Sequence, residues 1–313
     1  MDLITALAVL GSAFMGISIG ASSVAPAFGP VNSSSKTNVL RAAFLAGIFA
    51  FIGSIVQGGN VSKTVGSGFL TGGITTPQAA AILLVASSLV IISVITDYPM
   101  PTAFTVVGAV LGSAFSFGNQ IVTPVVLKVV AYWIAVPFFA AALGYLIAKA
   151  LRKYVDKENS GRSIRILLLV SGSYMAYTAG AGSVGLAVGP LESLGIDSFL
   201  LLAFGGISIL AGSWLYSPRI IKAVSYDYSN MGPRRSIAAL ASSAFLAQIG
   251  IFFGVPISFN EAIIASVIGS GMVEGRSNTD KTKIVRTIGA WTGAFILAGA
   301  VTFTIGLVFT NFI

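Results

Sequence analysis

Apolar residues occupy this chain in ten long blocks separated by short polar, glycine- or proline-bearing stretches, at approximately 3–28, 38–57, 78–96, 99–117, 121–148, 164–189, 198–216, 236–254, 256–273 and 287–312. Each is close to or beyond the roughly 20 residues of helix that cross a bilayer. The pattern predicts an all-α integral membrane protein, with five hydrophobic segments in residues 1–148, five in 164–313, and a polar linker at 149–163. Several blocks carry Gly, Ser and Pro clusters at their middles or ends, where a regular helix is expected to break. Irregular backbone at membrane depth persists only when it is buried in protein or lines a polar cavity, so such a cavity is expected.

The two sets of five are copies of one another. GASSVAPAFGPV at Gly20–Val31 and GAGSVGLAVGPL at Gly180–Leu191 match at seven of twelve positions with an offset of 160. Lys63 and Lys222 recur at 159, Lys128 with Arg286 and Trp133 with Trp291 at 158, and Pro99 and Gly112 with Pro256 and Gly269 at 157. A shift shared over so long a stretch marks an internal duplication, in which each half supplies one wall of a common site.

Composition agrees with this reading. Hydrophobic residues make up 55% of the chain and charged residues 9%, a balance foreign to a soluble domain. With no cysteine and no histidine, disulfides, zinc, haem ligation and His-based acid–base chemistry drop out, and neither a metal nor a cofactor is expected. The net charge of +8 follows the positive-inside rule better than it suggests a nucleic-acid partner. Lys149, Arg152, Lys153, Lys157, Arg162 and Arg165 face only Asp156 and Glu158, which puts the linker in the cytoplasm. Stepping outward, Glu192 and Asp197 fall outside, Arg219, Lys222, Arg234, Arg235 and the stretch from Glu274 to Arg286 inside, Lys36 and Arg41 inside, and both termini outside. Five crossings per half is an odd number, so the halves should be inverted-topology repeats in the plasma membrane, with broken or re-entrant helices at the midplane.

The repeated motif is the first candidate site. Gly20, Ala21, Ser22, Ser23 and Val24, and Gly180, Ala181, Gly182, Ser183 and Val184, are expected to interrupt their helices, with Gly29-Pro30 and Gly189-Pro190 interrupting them again. A helix restarting after a break offers amide donors and a positive dipole end to an oxyanion, and the serine hydroxyls would add donors. The competing reading is close helix packing through small residues, which one copy alone would favour and two copies at a fixed offset do not. The second repeated element, PMPTAFTVVGAVLG at Pro99–Gly112 and PISFNEAIIASVIG at Pro256–Gly269, shares three of fourteen residues. It brings Ser258, Asn260 and above all Glu261, a carboxylate inside an apolar block and a functional candidate for that reason. Asp97 reads as a solvated turn residue, Lys63 and Lys222 as path-flanking or snorkelling cations, and Trp133 and Trp291 as packing residues.

With these motifs in view, the chain resembles the inorganic phosphate transporter family, whose halves each carry G-x-N-D-V-A-N-x-x-G-P followed by a P-V-S-T-T-H-type element, and within it the sulfate-permease branch. The resemblance runs over nearly the whole chain and implies an inverted-repeat membrane fold and cation-coupled uptake of an oxyanion. The departures matter more. The signature Asn-Asp is Ser22-Ser23 here and Gly182-Ser183 in the second half, and its second Asn is Pro26 and Leu186. The threonine-rich element is Pro101, Thr102, Ala103 and Phe104 in one half and Ser258, Phe259, Asn260 and Glu261 in the other.

An ionised carboxylate accepts hydrogen bonds and favours an anion that carries an O–H, whereas a site of hydroxyl and amide donors suits the proton-free sulfate dianion. The expected function is therefore secondary active import of sulfate, or of thiosulfate or a related oxyanion, by alternating access. Glu261 would couple it to protons rather than sodium. A sodium- or proton-coupled phosphate carrier is the first alternative and a passive anion channel the second; an enzyme is not expected. The remaining expected partners are the lipid bilayer and a second copy of the chain as a homodimer.

Overall fold

The computed structural model describes residues 2–35, 38–96, 100–155, 161–227, 231–273 and 281–312. Among them the chain is helical, with no strand beyond a single bridge between Leu70 and Ile121. The first half contains α1 (Leu3–Ile19), α2 (Gly29–Ser35), α3 (Val39–Gln57), α4 (Gly59–Lys63), α5 (Thr76–Ile95), α6 (Thr102–Phe117) and α7 (Thr123–Tyr154). The second contains α8 (Gly161–Val188), α9 (Ser198–Asp227), α10 (Pro233–Phe252), α11 (Phe259–Met272) and α12 (Lys281–Phe312).

Eight described helices are long and apolar enough to cross a membrane, and the chain is a multi-pass membrane protein. Ten spans of similar standing were expected. The two that differ are α6, with 16 residues, and α11, with 14. At 1.5 Å per residue they reach about 24 and 21 Å, short of a hydrocarbon core of about 30 Å. Proline explains where they start: Pro101 and Pro256 cannot continue a preceding helix, and each short helix begins just after one.

The duplication is visible in the elements themselves. Helices α5 and α10 both have 20 residues, and α7 and α12 both have 32. Packing repeats as well: α3 lies on α8 as α9 lies on α1, α6 on α12 as α11 on α7, and α5 on α1 as α10 on α8. Glycines hold corresponding places in these contacts. A Cβ on Gly20 would stand 2.1 Å from the carbonyl oxygen of Ile209, and one on Gly180 would stand 1.9 Å from that of Ala50. Gly112 and Gly269 meet the carbonyls of Gly299 and Ala141 at 2.1 and 1.9 Å in the same way. No larger residue fits at such distances, which is why small residues mark these helix faces.

Helices α5 and α6 form a hairpin whose open end is tied together. Thr71 N–H donates to the Gln120 carbonyl at 2.9 Å, Val122 N–H to that of Phe69 at 2.9 Å, and the Gln78 amide to Asn119 Oδ1 at 2.6 Å. The chain enters α5 and leaves α6 on the same side of the bundle.

Candidate functional site

In the first half the repeated motif does break the helix. After Ile19 the backbone widens into a π-helical turn over Gly20–Val24, tightens into a 3-10 turn over Ala25–Phe28, and resumes as α2. Pro26 accounts for this, because it has no N–H to give the carbonyl four residues back. The serines add to the bend by bonding backward, Ser18 Oγ to the Phe14 carbonyl and Ser22 Oγ to the Ser18 carbonyl, both at 2.8 Å. Ser23 is buried, and its hydroxyl lies 3.3 Å from Thr102 Oγ1 at the start of α6.

In the second half the expected interruption at Gly180–Val184 is not there. Helix α8 runs regularly to Val188, and the break comes at Gly189-Pro190 as a 3-10 turn over Gly189–Leu194. Leu186 stands where the first half has Pro26, so the backbone N–H ladder continues and the amides of this motif serve the helix itself. The side chain at Ser183 is what remains: its hydroxyl is fully buried and has no hydrogen-bond partner among the described residues. Gly182 faces α11, where a Cβ would come within 2.8 Å of Phe259 Cζ.

The starts of the two short helices meet around Trp133. Phe104, in the first turn of α6, stacks on the Trp133 ring with centroids 3.9 Å apart. Trp133 Nε1 donates to the Pro256 carbonyl at 2.8 Å, which fixes the turn leading into α11. Trp291 closes on Phe104 at 6.2 Å, so both repeated tryptophans pack as expected. That same turn is held from behind by Lys128 Nζ on the Phe253 carbonyl at 2.9 Å and Asn60 Nδ2 on the Phe252 carbonyl at 3.2 Å.

Ser258, Asn260 and Glu261 occupy the α11 start. Ser258 and Glu261 have the residue types and spacing of a capping box, yet the Ser258 side chain makes no capping bond. Its hydroxyl is buried without a partner, and Glu261 is 4% exposed with no hydrogen bond or ion pair among the described residues. Asn260 is half-buried. The turn into α11 thus meets the start of α6 through Trp133 and the second motif through Gly182 and Phe259, and carries a hydroxyl and a carboxylate that are unpaired among the described residues.

Other expectations scatter. Lys63 is exposed at the end of α4. Lys36, Asp97, Pro99 and Glu274, and the side chains of Arg219, Lys222 and Arg286, lie outside the described residues. Glu192, expected on the outer side, is half-buried in the 3-10 turn and accepts a hydrogen bond from Ser62 Oγ at 3.0 Å. Sequence reasoning missed this tie between halves, although a Glu two residues after the repeated Gly-Pro was a visible signal. It also missed Trp133 as the donor that positions α11.

Comparison with known proteins decides the family. Residues 19–166, and again 156–302, match the phosphate transporter family. The chain belongs to that family. Within it, the chain is 28% identical over 287 residues to the sulfate permease CysP of Bacillus subtilis, covering 90% of this chain and 81% of that one. A putative phosphate permease of Methanocaldococcus jannaschii is 24% identical over 296 residues, covering 94% and 93%. Among solved structures, the sodium-dependent phosphate transporter superposes with a TM-score of 0.82 over the whole of both chains at 19% identity, a likeness of fold. This phosphate transporter family member is thus similar to proteins named for two different oxyanions, and its own signature positions carry serine and glycine where the family pattern has Asn-Asp.

Proposed function

We propose that this chain is a secondary transporter, not an enzyme, that imports a tetrahedral oxyanion across the plasma membrane, sulfate before phosphate, by alternating access between two inverted halves. The tied α5–α6 hairpin supports the inversion. Whether the hairpin crosses fully or re-enters, it returns to its starting side, so α1, α3 and α7 leave an odd number of crossings per half. The linker is then cytoplasmic and both termini outside. Residues 1–148 and 164–313 act as the two repeats, with 149–163 between them.

The observation that carries the substrate reading is the pair of buried, unpartnered hydroxyls, Ser183 and Ser258, beside motifs that have lost their carboxylates. A buried hydroxyl without a partner is costly, and a bound oxyanion would satisfy both by accepting from them. Gly20, Ala21, Ser22, Ser23 and Val24 form the opposite wall, Gly180, Ala181, Gly182 and Val184 the near one, and Asn260 adds an amide donor. Glu261 is the proposed proton carrier: ionised at this burial it lacks a partner, and protonated it offsets part of the anion's charge. Phosphate remains the second reading, because that same carboxylate could accept the proton of hydrogenphosphate.

Uptake of labelled sulfate and phosphate into proteoliposomes, with proton and sodium gradients imposed separately, tests this reading. Sulfate uptake driven by an inward proton gradient is expected. Phosphate competing as well as sulfate across pH 6 to 8 would reject the substrate assignment, and sodium dependence would reject the coupling. Glu261→Gln should exchange sulfate across the membrane yet lose acceleration by the gradient; full gradient-driven accumulation in that variant would leave Glu261 structural.

A further inference from the structure

Two amides and a phenol form a hydrogen-bonded ladder across three membrane helices. Tyr174 on α8 donates through its hydroxyl to Gln248 Oε1 on α10 at 3.1 Å, and Gln248 Nε2 donates to Gln57 Oε1 at the end of α3 at 2.9 Å. The ladder lies in a cleft of about 590 Å³ between these helices, walled by Phe49, Val170 and Tyr177. A smaller hollow of about 200 Å³ adjoins it, sharing Gln57 and Gln248 and reaching Asn60 and Ile251. Among the described residues no acidic or basic side chain lines either.

The corresponding positions of the other half are Phe14 for Tyr174, Ile91 for Gln248 and Tyr216 for Gln57, so no amide stands there. The polar ladder is therefore not a relic of the duplication. Nor is it dictated by packing, since the exposed residues around it, Val56, Val170 and Phe252, are apolar as a lipid-facing surface requires. Gln57 Nε2 has no protein acceptor among the described residues, and amide N–H groups facing lipid chains go unsatisfied at large cost. Water, or an anion, must meet them.

We propose that this cleft between α3, α8 and α10 is the aqueous path by which the transported oxyanion reaches the second motif, with the Nε2 amides of Gln57 and Gln248 as uncharged donors along it and Tyr174 holding Gln248 in place. The proposal rests on the transport reading above. Neutral donors hold an anion briefly without trapping it, and the absence of carboxylates spares it repulsion. The volume admits a tetrahedral anion with several waters, each of which occupies about 30 Å³ in the liquid. The path ends at Gly182. The place of a Cβ there lies 3.3 Å from Ile251 Cγ1, at the rim of the smaller hollow, and 2.8 Å from Phe259 Cζ. Ile251 and Phe259, which flank Gly182, are the inner barrier of this path in this conformation.

The chain has no native cysteine, so single cysteines report directly. Gln57→Cys, Gln248→Cys and Tyr174→Cys, with Ile91→Cys as the counterpart control, are reconstituted and treated with a charged, membrane-impermeant thiol reagent. The three cleft cysteines are expected to react at least tenfold faster than Ile91→Cys, to lose labelled-anion uptake on modification, and to react more slowly in saturating sulfate or phosphate. Reaction solely with a membrane-dissolved maleimide would make the cleft lipid-covered and overturn the proposal. Rapid labelling that leaves uptake intact would make it a dead-end vestibule and overturn it equally. If the unmodified chain takes up neither anion, the transport reading fails, whereas the labelling rates still decide whether the cleft is wet.

Discussion

The two signature segments share seven of twelve residues and occupy corresponding places, yet one is a widened, bent turn and the other an unbroken helix. One substitution separates them in physical terms. Pro26 removes a backbone donor and forces the chain out of the α-helix, and Leu186 restores it. The side chains follow the backbone: Ser23 turns to Thr102 and is satisfied, while Ser183 stays buried and unpaired. A duplicated motif therefore need not build two equal half-sites. Here one half supplies a bend tied to its own short helix, and the other a regular helix with a buried hydroxyl unpaired among the described residues.

What the halves do share is the close approach of their signature glycines to the opposite half, and breaking that should have the largest effect. Gly180→Val or Gly20→Val would drive a side chain into a backbone carbonyl that now stands about 2 Å from the Cβ position. Either is expected to cost more than about 3 kcal/mol and to abolish the monodisperse peak in size-exclusion chromatography. Gly161→Val, with nothing within 4 Å of its Cβ position, should behave as the parent chain. Tolerance at Gly20 together with loss at Gly180 would show that the two interfaces are not equivalent.

Exchanging the residue that separates the motifs comes next. Leu186→Pro should break α8 in its buried stretch and lower stability by about 3 kcal/mol, read as a fall in melting temperature in detergent. Pro26→Leu permits the missing hydrogen bond and should leave melting unchanged or raised while reducing uptake, because the bend that brings Ser23 to Thr102 is lost. If Pro26→Leu transports as the parent does, the bend is not part of the site.

The membrane helices were legible because their signal is additive: twenty apolar residues outweigh local irregularities, and 78–96 and 121–148 became Thr76–Ile95 and Thr123–Tyr154. The short helices were harder to read, since a block of eighteen or nineteen apolar residues says nothing of where proline lets the helix begin. The second helix break was misjudged for a definite reason. Glycine in a helix costs about 1 kcal/mol and forbids nothing, so Gly180 and Gly182 are carried by α8 where they pack against Ala50 and Phe259. Proline does forbid, and Pro26 against Leu186 was the stronger clue. The glutamine ladder had no signature at all. Each of its members is one uncharged residue in an apolar run, and their meeting depends on three helices becoming neighbours.

The smallest effect is the sharpest test of the difference between the motifs. Ser23 Oγ shares a hydrogen bond with Thr102, so Ser23→Ala should lower stability by about 1 kcal/mol, the usual net worth of one such bond. Ser183 Oγ makes none, so Ser183→Ala removes an unsatisfied buried group and should leave the melting temperature unchanged or slightly raised in the absence of anion. In saturating sulfate the order should reverse. The parent chain gains stability from a ligand that accepts from Ser183, and Ser183→Ala forgoes that bond, so its sulfate-induced shift shrinks while that of Ser23→Ala persists. Equal sulfate-induced shifts in the two variants would mean that Ser183 donates to nothing in the bound state, and the vacant hydroxyl would be a packing defect and not half of a binding site.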